Sequence, residues 1–492
     1  MFSQFGNVSK LLECHSGTEA VKRIEDIYHA NVAQIRHDLT YLLDEAEPDS
    51  GRLIFEGGNY PFVGLNVRPE NMHIDARLSY GVATDPGAFG TTVTCPSLFR
   101  EYYQEQIDLL IKHHNVPVMV GESDSPIPIP FAVDPHHISP ELKETLESRF
   151  HSLLPNLSRV NDNIANYHHV HTGNTALPLA LFTGERVDYS LHRLMHYTRT
   201  YPEFFQSFIL LTNYDRYIQE FIDYAMHEIK TGHEYTAFVE PGNYITYNQK
   251  FKKTKTKGQR LQYSPQIPAY HLVRPNGQGI TFVNIGVGPS NAKTITDHLA
   301  VLRPHCWLML GHCAGLRRSQ ALGDYVLAHG YVRKDHALDE DLSLDVPLPA
   351  IAELQVALQD AVAHVTGLRG REMKKRMRTG TVLTTDNRNW ELLSKQQLPL
   401  FNQTRAIAVD MESATIAANG FRFRVPYGTL LCVSDKPIYG ELKLQKMATK
   451  FYQDRVSQHL QIGIEAIRLI RELGVDLLHS RKLRGFEEPP FR

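Results

Sequence analysis

Two acidic side chains stand out because each directly follows a short apolar run that reads as a buried strand. AIAVD at 406–410 leads into Met411 and Glu412, and YGTLLCVSD at 427–435 ends on Ser434 and Asp435. A carboxylate buried at a strand exit is usually paired or hydrogen-bonded, because an uncompensated charge away from water is costly. Two such groups suit cleavage of a glycosidic bond, where one protonates the leaving group and the other steadies the electron-poor sugar or orients water. Asp435 fits the acid role if Leu430, Leu431, Cys432 and Val433 help bury it and raise its pKa. A structural salt bridge or a cap is the competing reading of Asp435 from these residues alone.

Other strand exits supply a short polar list, and in open α/β sheets ligands collect outside the carboxyl ends of the strands. With the two acidic exits it runs from Asn213 and Arg216 through Gly286 to Ser290 (Gly286, Gly288 and Ser290 as candidate contacts), Gly311 to Gly315 (Gly311, His312 and Cys313), Thr384, Thr385 and Asp386, and Asp410 to Glu412, and ends at Ser434 and Asp435. The turn IGVGPSNAKT fails as a dinucleotide fingerprint, since Asn291 stands where a third glycine must let helix and strand pack. It fails as a phosphate loop too: Lys293 and Thr294 are in place, but Val287 and Ala292 occupy the glycine positions. What remains is a glycine turn at a helix N-terminus, suited to an anion or a sugar oxygen, or to no ligand at all. The Arg216 guanidinium can grip a phosphate in two places, or simply pair with Asp215 or Glu220 at the surface.

The elements that must position these groups change character along the chain. Up to about residue 190, helical stretches such as 98–112 mix with Pro-rich connectors; VPVMV at 116–120 reads as a strand and 121–131 as an irregular extended segment. Beyond it, short apolar runs alternate with amphipathic helices, the pattern of an α/β domain on a largely buried sheet. SFILLTN, YTAFV, ITFVNIGVG at 280–288 entering a glycine turn, CWLMLGHCAG, DYVLAHGYV, AIAVD and YGTLLCVSD are predicted strands. Gly420 is expected to stop the helix after AIAVD in a left-handed cap. The basic segment KFKKTKTKGQR at 250–260 reads as a solvated hairpin tip, with a lid over phosphate as the alternative.

Composition excludes several classes. With 492 residues, 42% apolar and 22% charged, the chain can bury more than one core. A formal charge of −2 offers no global field for a nucleic-acid backbone. The start, MFSQFGNVSK, shows no basic stretch followed by a long apolar core, and nowhere do about 18 apolar residues run uninterrupted, so a cytoplasmic location is expected. Five scattered cysteines without a CxxC pair read as reduced thiols, and the histidine clusters lack metal-site spacing.

Taken together, NIGVGPS, GHCAGL, VDMESATI and CVSDKP resemble the signature of the purine nucleoside phosphorylase and nucleosidase superfamily. The phrases FILLTNYDRYIQEF, HLAVLRPHCWLMLGHCAGLR, TGTVLTTDNRNWEL and HSRKLRGFEEPPFR narrow this to a resemblance to the bacterial AMP nucleosidases. That resemblance implies a phosphorylase/hydrolase-like mixed-sheet α/β core over 191–492, behind a separate N-terminal α+β regulatory domain over 1–190. The implied reaction converts AMP and water to adenine and ribose 5-phosphate, and requires no cofactor. Asp435 would lie beside purine N7, Glu412 would grip the ribose hydroxyls, and Met411 would pack beneath the sugar. Residues 311–313 and 384–386 would frame base and sugar, and Asn213 and Arg216 stand where related phosphorylases begin their phosphate site. Met309 stands where those phosphorylases carry an arginine, a departure that suits water as nucleophile. Glu412 is the plausible activator of that water and Glu240 a weaker candidate. The resemblance also implies a homo-hexamer, MgATP as allosteric activator and phosphate as inhibitor, with Arg77 and Arg100 as candidate effector contacts. A purine nucleoside phosphorylase and a non-catalytic nucleotide sensor are the alternatives.

Overall fold

The computed structural model describes residues 3–44, 58–72, 79–133, 155–169, 176–254, 256–442 and 449–492. Arg77 lies outside them. The chain forms two compact units, Met1–His192 with Arg484–Arg492, and Arg193–Leu483. Against the division at 190/191 drawn from sequence, the boundary falls inside the helix Gly184–Thr198, and the last nine residues group with the first unit.

In the first unit, strands β1 (Ser9–Cys14), β2 (Asn59–Val67), β3 (Gly87–Thr92), β4 (Val118–Pro126) and β5 (Leu177–Pro178) form one sheet in the order β1-β4-β2-β3-β5. The helix Gly17–Asp44 lays Val32, Ile35 and Leu39 on Tyr60, Ile127 and Ile129, a stripe set by helical spacing. β4 runs further than its prolines suggest. Ser123 and Ser125 face inward between Glu122 and the exposed Asp124 and Pro126, and the Ser123 hydroxyl donates to the Tyr60 carbonyl at 2.7 Å. Pro126 sits at the strand's end, paired with Asn59, where a missing donor costs little.

The second unit holds an eleven-stranded mixed sheet. Its central strands are β6 (Phe208–Thr212), β11 (Ile280–Asn284) and β12 (Cys306–Gly315); β6 runs parallel to both neighbours and all five of its residues are buried. Strands covered on both faces carry unbroken apolar runs, which is why they are readable from sequence. On one side follow β10 (Ala269–Val273), β7 (Ala237–Glu240), β8 (Tyr244–Tyr247) and β9 (Thr256–Lys257). On the other come β16 (Tyr427–Asp435), β13 (Tyr325–Lys334), β14 (Met377–Thr385) and β15 (Ala408–Asp410). β15 pairs back onto β12, so these five strands close on themselves. The basic segment belongs to the exposed β8–β9 hairpin.

Gly420 does not end its helix. Ser413–Arg422 continues past it, and a Cβ at Gly420 would lie 2.4 Å from the Tyr427 ring; the glycine is there for close helix-to-sheet packing. Gly463 in the helix Thr449–Leu473 does the same against Leu310 of β12. Among the described residues no helix is long and apolar enough to cross a membrane.

Candidate active site

The two acidic strand exits meet across β12. Ala314 pairs with Val409 of β15 on one side and with Asp435 of β16 on the other. The register slips between Cys313 and Ala314: Cys313 faces Val433, so Ser434 is an extra residue in a bulge that re-aims the end of β16. The Ser434 hydroxyl donates to Asp435 Oδ1 at 2.5 Å and lies 3.3 Å from the Cys313 carbonyl. Asp435 itself is half-buried.

Glu412 is 1% exposed, and the exits of three strands converge on it. Its Oε1 accepts the Gly288 backbone N–H at 2.7 Å, and its Oε2 accepts the Asn213 side-chain amide at 2.9 Å. Gly288, just before the helix Pro289–Leu299, has φ +110°, and Gly286 has φ +69°. A Cβ at Gly288 would meet nothing within 4 Å, so backbone conformation rather than crowding demands glycine there. Asn284 steadies the turn, its Oδ1 accepting the Gly286 N–H at 3.1 Å while its amide donates to Asp215 at 2.5 Å.

Behind Glu412 stands Asp410, the last residue of β15 and 5% exposed. Its Oδ1 accepts the Thr384 hydroxyl at 2.6 Å; its Oδ2 accepts the Ser413 N–H at 2.9 Å and also the Ser413 hydroxyl. Burial raises the pKa of Glu412, and the neighbouring Asp410 charge raises it further, against the hydrogen bonds from Gly288 and Asn213. Burial likewise raises Asp410, opposed by Ser413 and Thr384. The Cys313 thiol is pushed up by burial and by the fields of Cys432, Asp410 and Asp435. Sequence reasoning set Asp410 among the polar strand exits with Met411 and Glu412 but gave it no role, although its place two residues before Glu412 was a usable signal.

The remaining sequence-predicted residues divide. Thr384 is fully buried and serves Asp410, its hydroxyl also accepting the Ala414 N–H at 2.9 Å. Thr385 accepts the Asn387 N–H at 3.1 Å. The His312 ring, half-buried, lies 4.8 Å from Tyr214 and 5.7 Å from Tyr217, centroid to centroid. Gly311 leaves room for Met309, whose methyl would be 2.7 Å from a Cβ there. Met411 is half-buried and Ser290 exposed. Arg216 is exposed in the first turn of the helix Asp215–Thr231, and among the described residues it pairs with neither Asp215 nor Glu220. Glu240 is engaged elsewhere, in an ion pair with Arg260 at 2.9 Å. Lys293 pairs with Asp297 at 2.8 Å and Asp341 at 3.3 Å, a structural use. Arg100 pairs with Glu25 in the first unit.

Comparison with known proteins identifies the family. A family model for the bacterial AMP nucleoside phosphorylase N-terminus matches residues 19–175, and one for the phosphorylase superfamily matches 232–468. AMP nucleosidase of Escherichia coli (strain K12) is 46% identical over 96% of this chain and 98% of its own length. The chain belongs to the AMP nucleosidase family. A 5'-methylthioadenosine/S-adenosylhomocysteine nucleosidase of Desulfotalea psychrophila is 23% identical over 41% of this chain and 86% of that protein. The crystal structure of an AMP nucleosidase from Bacteroides thetaiotaomicron is 28% identical, covers 58% of this chain and 98% of that one, and has a TM-score of 0.43. Both Glu412 and Asp435 fall within the superfamily match, whereas Asn213, which holds Glu412, lies ahead of it.

Proposed function

We propose that the chain hydrolyses the N-glycosidic bond of AMP to adenine and ribose 5-phosphate, with Asp435 as the acid at the base and Glu412 as the carboxylate at the sugar. The observation that carries this reading is the meeting of the β6, β11 and β15 exits on Glu412, one β12 residue across from Asp435, in a chain 46% identical to an AMP nucleosidase.

The chemistry follows from what each group can still do. Each Glu412 oxygen holds one donor and keeps a second lone-pair direction for a ribose hydroxyl or a water. Its charge favours the electron-poor sugar of the transition state over the neutral ground state. Asp435 delivers a proton to N7 as the bond to the sugar breaks, a contribution of about 10²- to 10⁴-fold. Thr384, Ser413, Asn213 and Gly288 hold the carboxylates in place and so reduce the reorganisation needed during reaction. A cytoplasmic homo-hexamer, activated by MgATP and inhibited by phosphate, completes the proposal; light scattering and an AMP assay with each effector test those parts.

Incubation with AMP and MgATP should release free adenine and ribose 5-phosphate. Formation of a sugar 1-phosphate when phosphate is supplied would instead favour phosphorolysis, and tight AMP binding without adenine release would leave a nucleotide sensor.

A further inference from the structure

We infer that Asp410 is a positioning residue for the reaction: a buried carboxylate whose described partners are all neutral, it stands behind Glu412 and makes Glu412 the base that takes a proton from the attacking water. The inference rests on the hydrolytic reading above and names the group that activates the nucleophile.

The geometry decides which member of the pair stays charged. Asp410 accepts from the Thr384 hydroxyl, the Ser413 hydroxyl and the Ser413 N–H, the last being the first N–H of the helix Ser413–Arg422. A helix N-terminus and hydroxyl donors favour the anion. Glu412 accepts the Gly288 N–H and the Asn213 amide, with a smaller contribution from the Met411 backbone, has no hydroxyl donor among the described residues, and lies in the field of Asp410, which is steadied in addition by the Glu412 backbone. A proton that enters the pair therefore goes to Glu412, which must be ionised before it can accept from water, so its deprotonation sets the acid limb. Among the described residues, the other titratable groups that feel Asp410 are the Cys313 thiol on β12 and the Tyr331 phenol on β13; burial raises both, so neither contributes a charge near neutral pH. Beyond Cys313 stands Asp435, a third carboxyl and no cation.

The step balances without a further reactant. The water oxygen bonds to C1′ while its proton passes to Glu412, and the C1′–N9 bond breaks with its electron pair going to adenine. Adenine takes the Asp435 proton, and exchange with solvent resets both carboxyls. Asp410 touches none of the reacting atoms.

A role confined to capping the helix would cost stability and leave the pH profile alone. The test is therefore the pH dependence of kcat/KM for AMP in the full-length chain, wild type against Asp410→Asn. The acid limb should move down by about one pH unit or more, with kcat lowered about ten-fold at pH 8 and KM little changed. Asp410→Glu should restore the limb. Thr384→Val, which removes one donor from Asp410 and weakens its charge, should move the limb the same way by less, and serves if Asp410→Asn does not fold. A wild-type chain that releases no adenine from AMP defeats the hydrolytic reading and this inference with it. An active wild type beside variants whose acid limb stays in place defeats this inference alone.

Discussion

Each unit buries a carboxylate among neutral donors, and the two clusters do different things. In the first unit Asp188, 2% exposed, accepts from the Tyr60 hydroxyl at 2.7 Å, the Thr94 hydroxyl at 2.8 Å and the Cys95 thiol at 3.5 Å. In the second unit Glu412 accepts from a backbone N–H and an amide. Burial raises both, to about 7 for Asp188. The surroundings separate them. The Asp188 donors are side chains from a packed interior, whereas Glu412 sits at the carboxyl ends of three strands, beside a glycine turn with open space at Gly288. A raised pKa therefore marks burial; only the strand-exit setting marks chemistry.

The sharpest break of this contrast lies at Asp435. Asp435→Asn should keep the fold and lower kcat by about 10²- to 10⁴-fold; near wild-type turnover with intact AMP binding would remove this residue from the mechanism. Glu412→Gln comes next, with a loss in kcat of about 10²-fold and a much smaller change in KM. A change in KM alone would mean that Glu412 binds ground state and transition state equally.

Asp188 should respond in the opposite currency. Its folded pKa, about 7, stands above the ordinary 3.8, so the stability it contributes is fully present below pH 3.8 and is lost as pH rises through 7. Amide exchange in the helix Pro96–His114, which follows Thr94 and Cys95, should be slower at pH 6 than at pH 8 once corrected for intrinsic rates. Asp188→Asn should flatten that difference and leave kcat unchanged. A kcat that falls with the substitution would make the two clusters functionally alike.

These outcomes bear on how much a sequence discloses. The α/β core and both acidic exits were legible because strands buried on both faces carry unbroken apolar runs that end where the sheet ends. The partner of Glu412 was not: Asn213 lies 199 residues away, and only the pairing of β6, β11, β12 and β15 brings them together. The role of Asp410, though not its place at a strand exit, was hidden for a related reason, since its donors come from β14 and from the helix it precedes. Inward serines concealed the second half of β4, because alternation is usually sought in apolar residues. Gly420 misled because glycine serves close approach as well as left-handed turns, and only the position of Tyr427 tells which.

The smallest effect is expected at Arg216, the sole predicted cation of the site. It lies in the first turn of its helix, one residue after Asp215, which is taken by Asn284. Exposure screens its charge, so it resembles a solvated surface charge more than a buried phosphate clamp. Arg216→Glu should raise KM for AMP by about five-fold or less, with the effect fading as salt is added, and leave KM for adenosine unchanged. An equal rise for both would separate Arg216 from the 5′-phosphate. A rise beyond about 100-fold for AMP alone would match the strength of a desolvated charge-assisted contact, and would mean that this helix end closes over the phosphate when AMP binds.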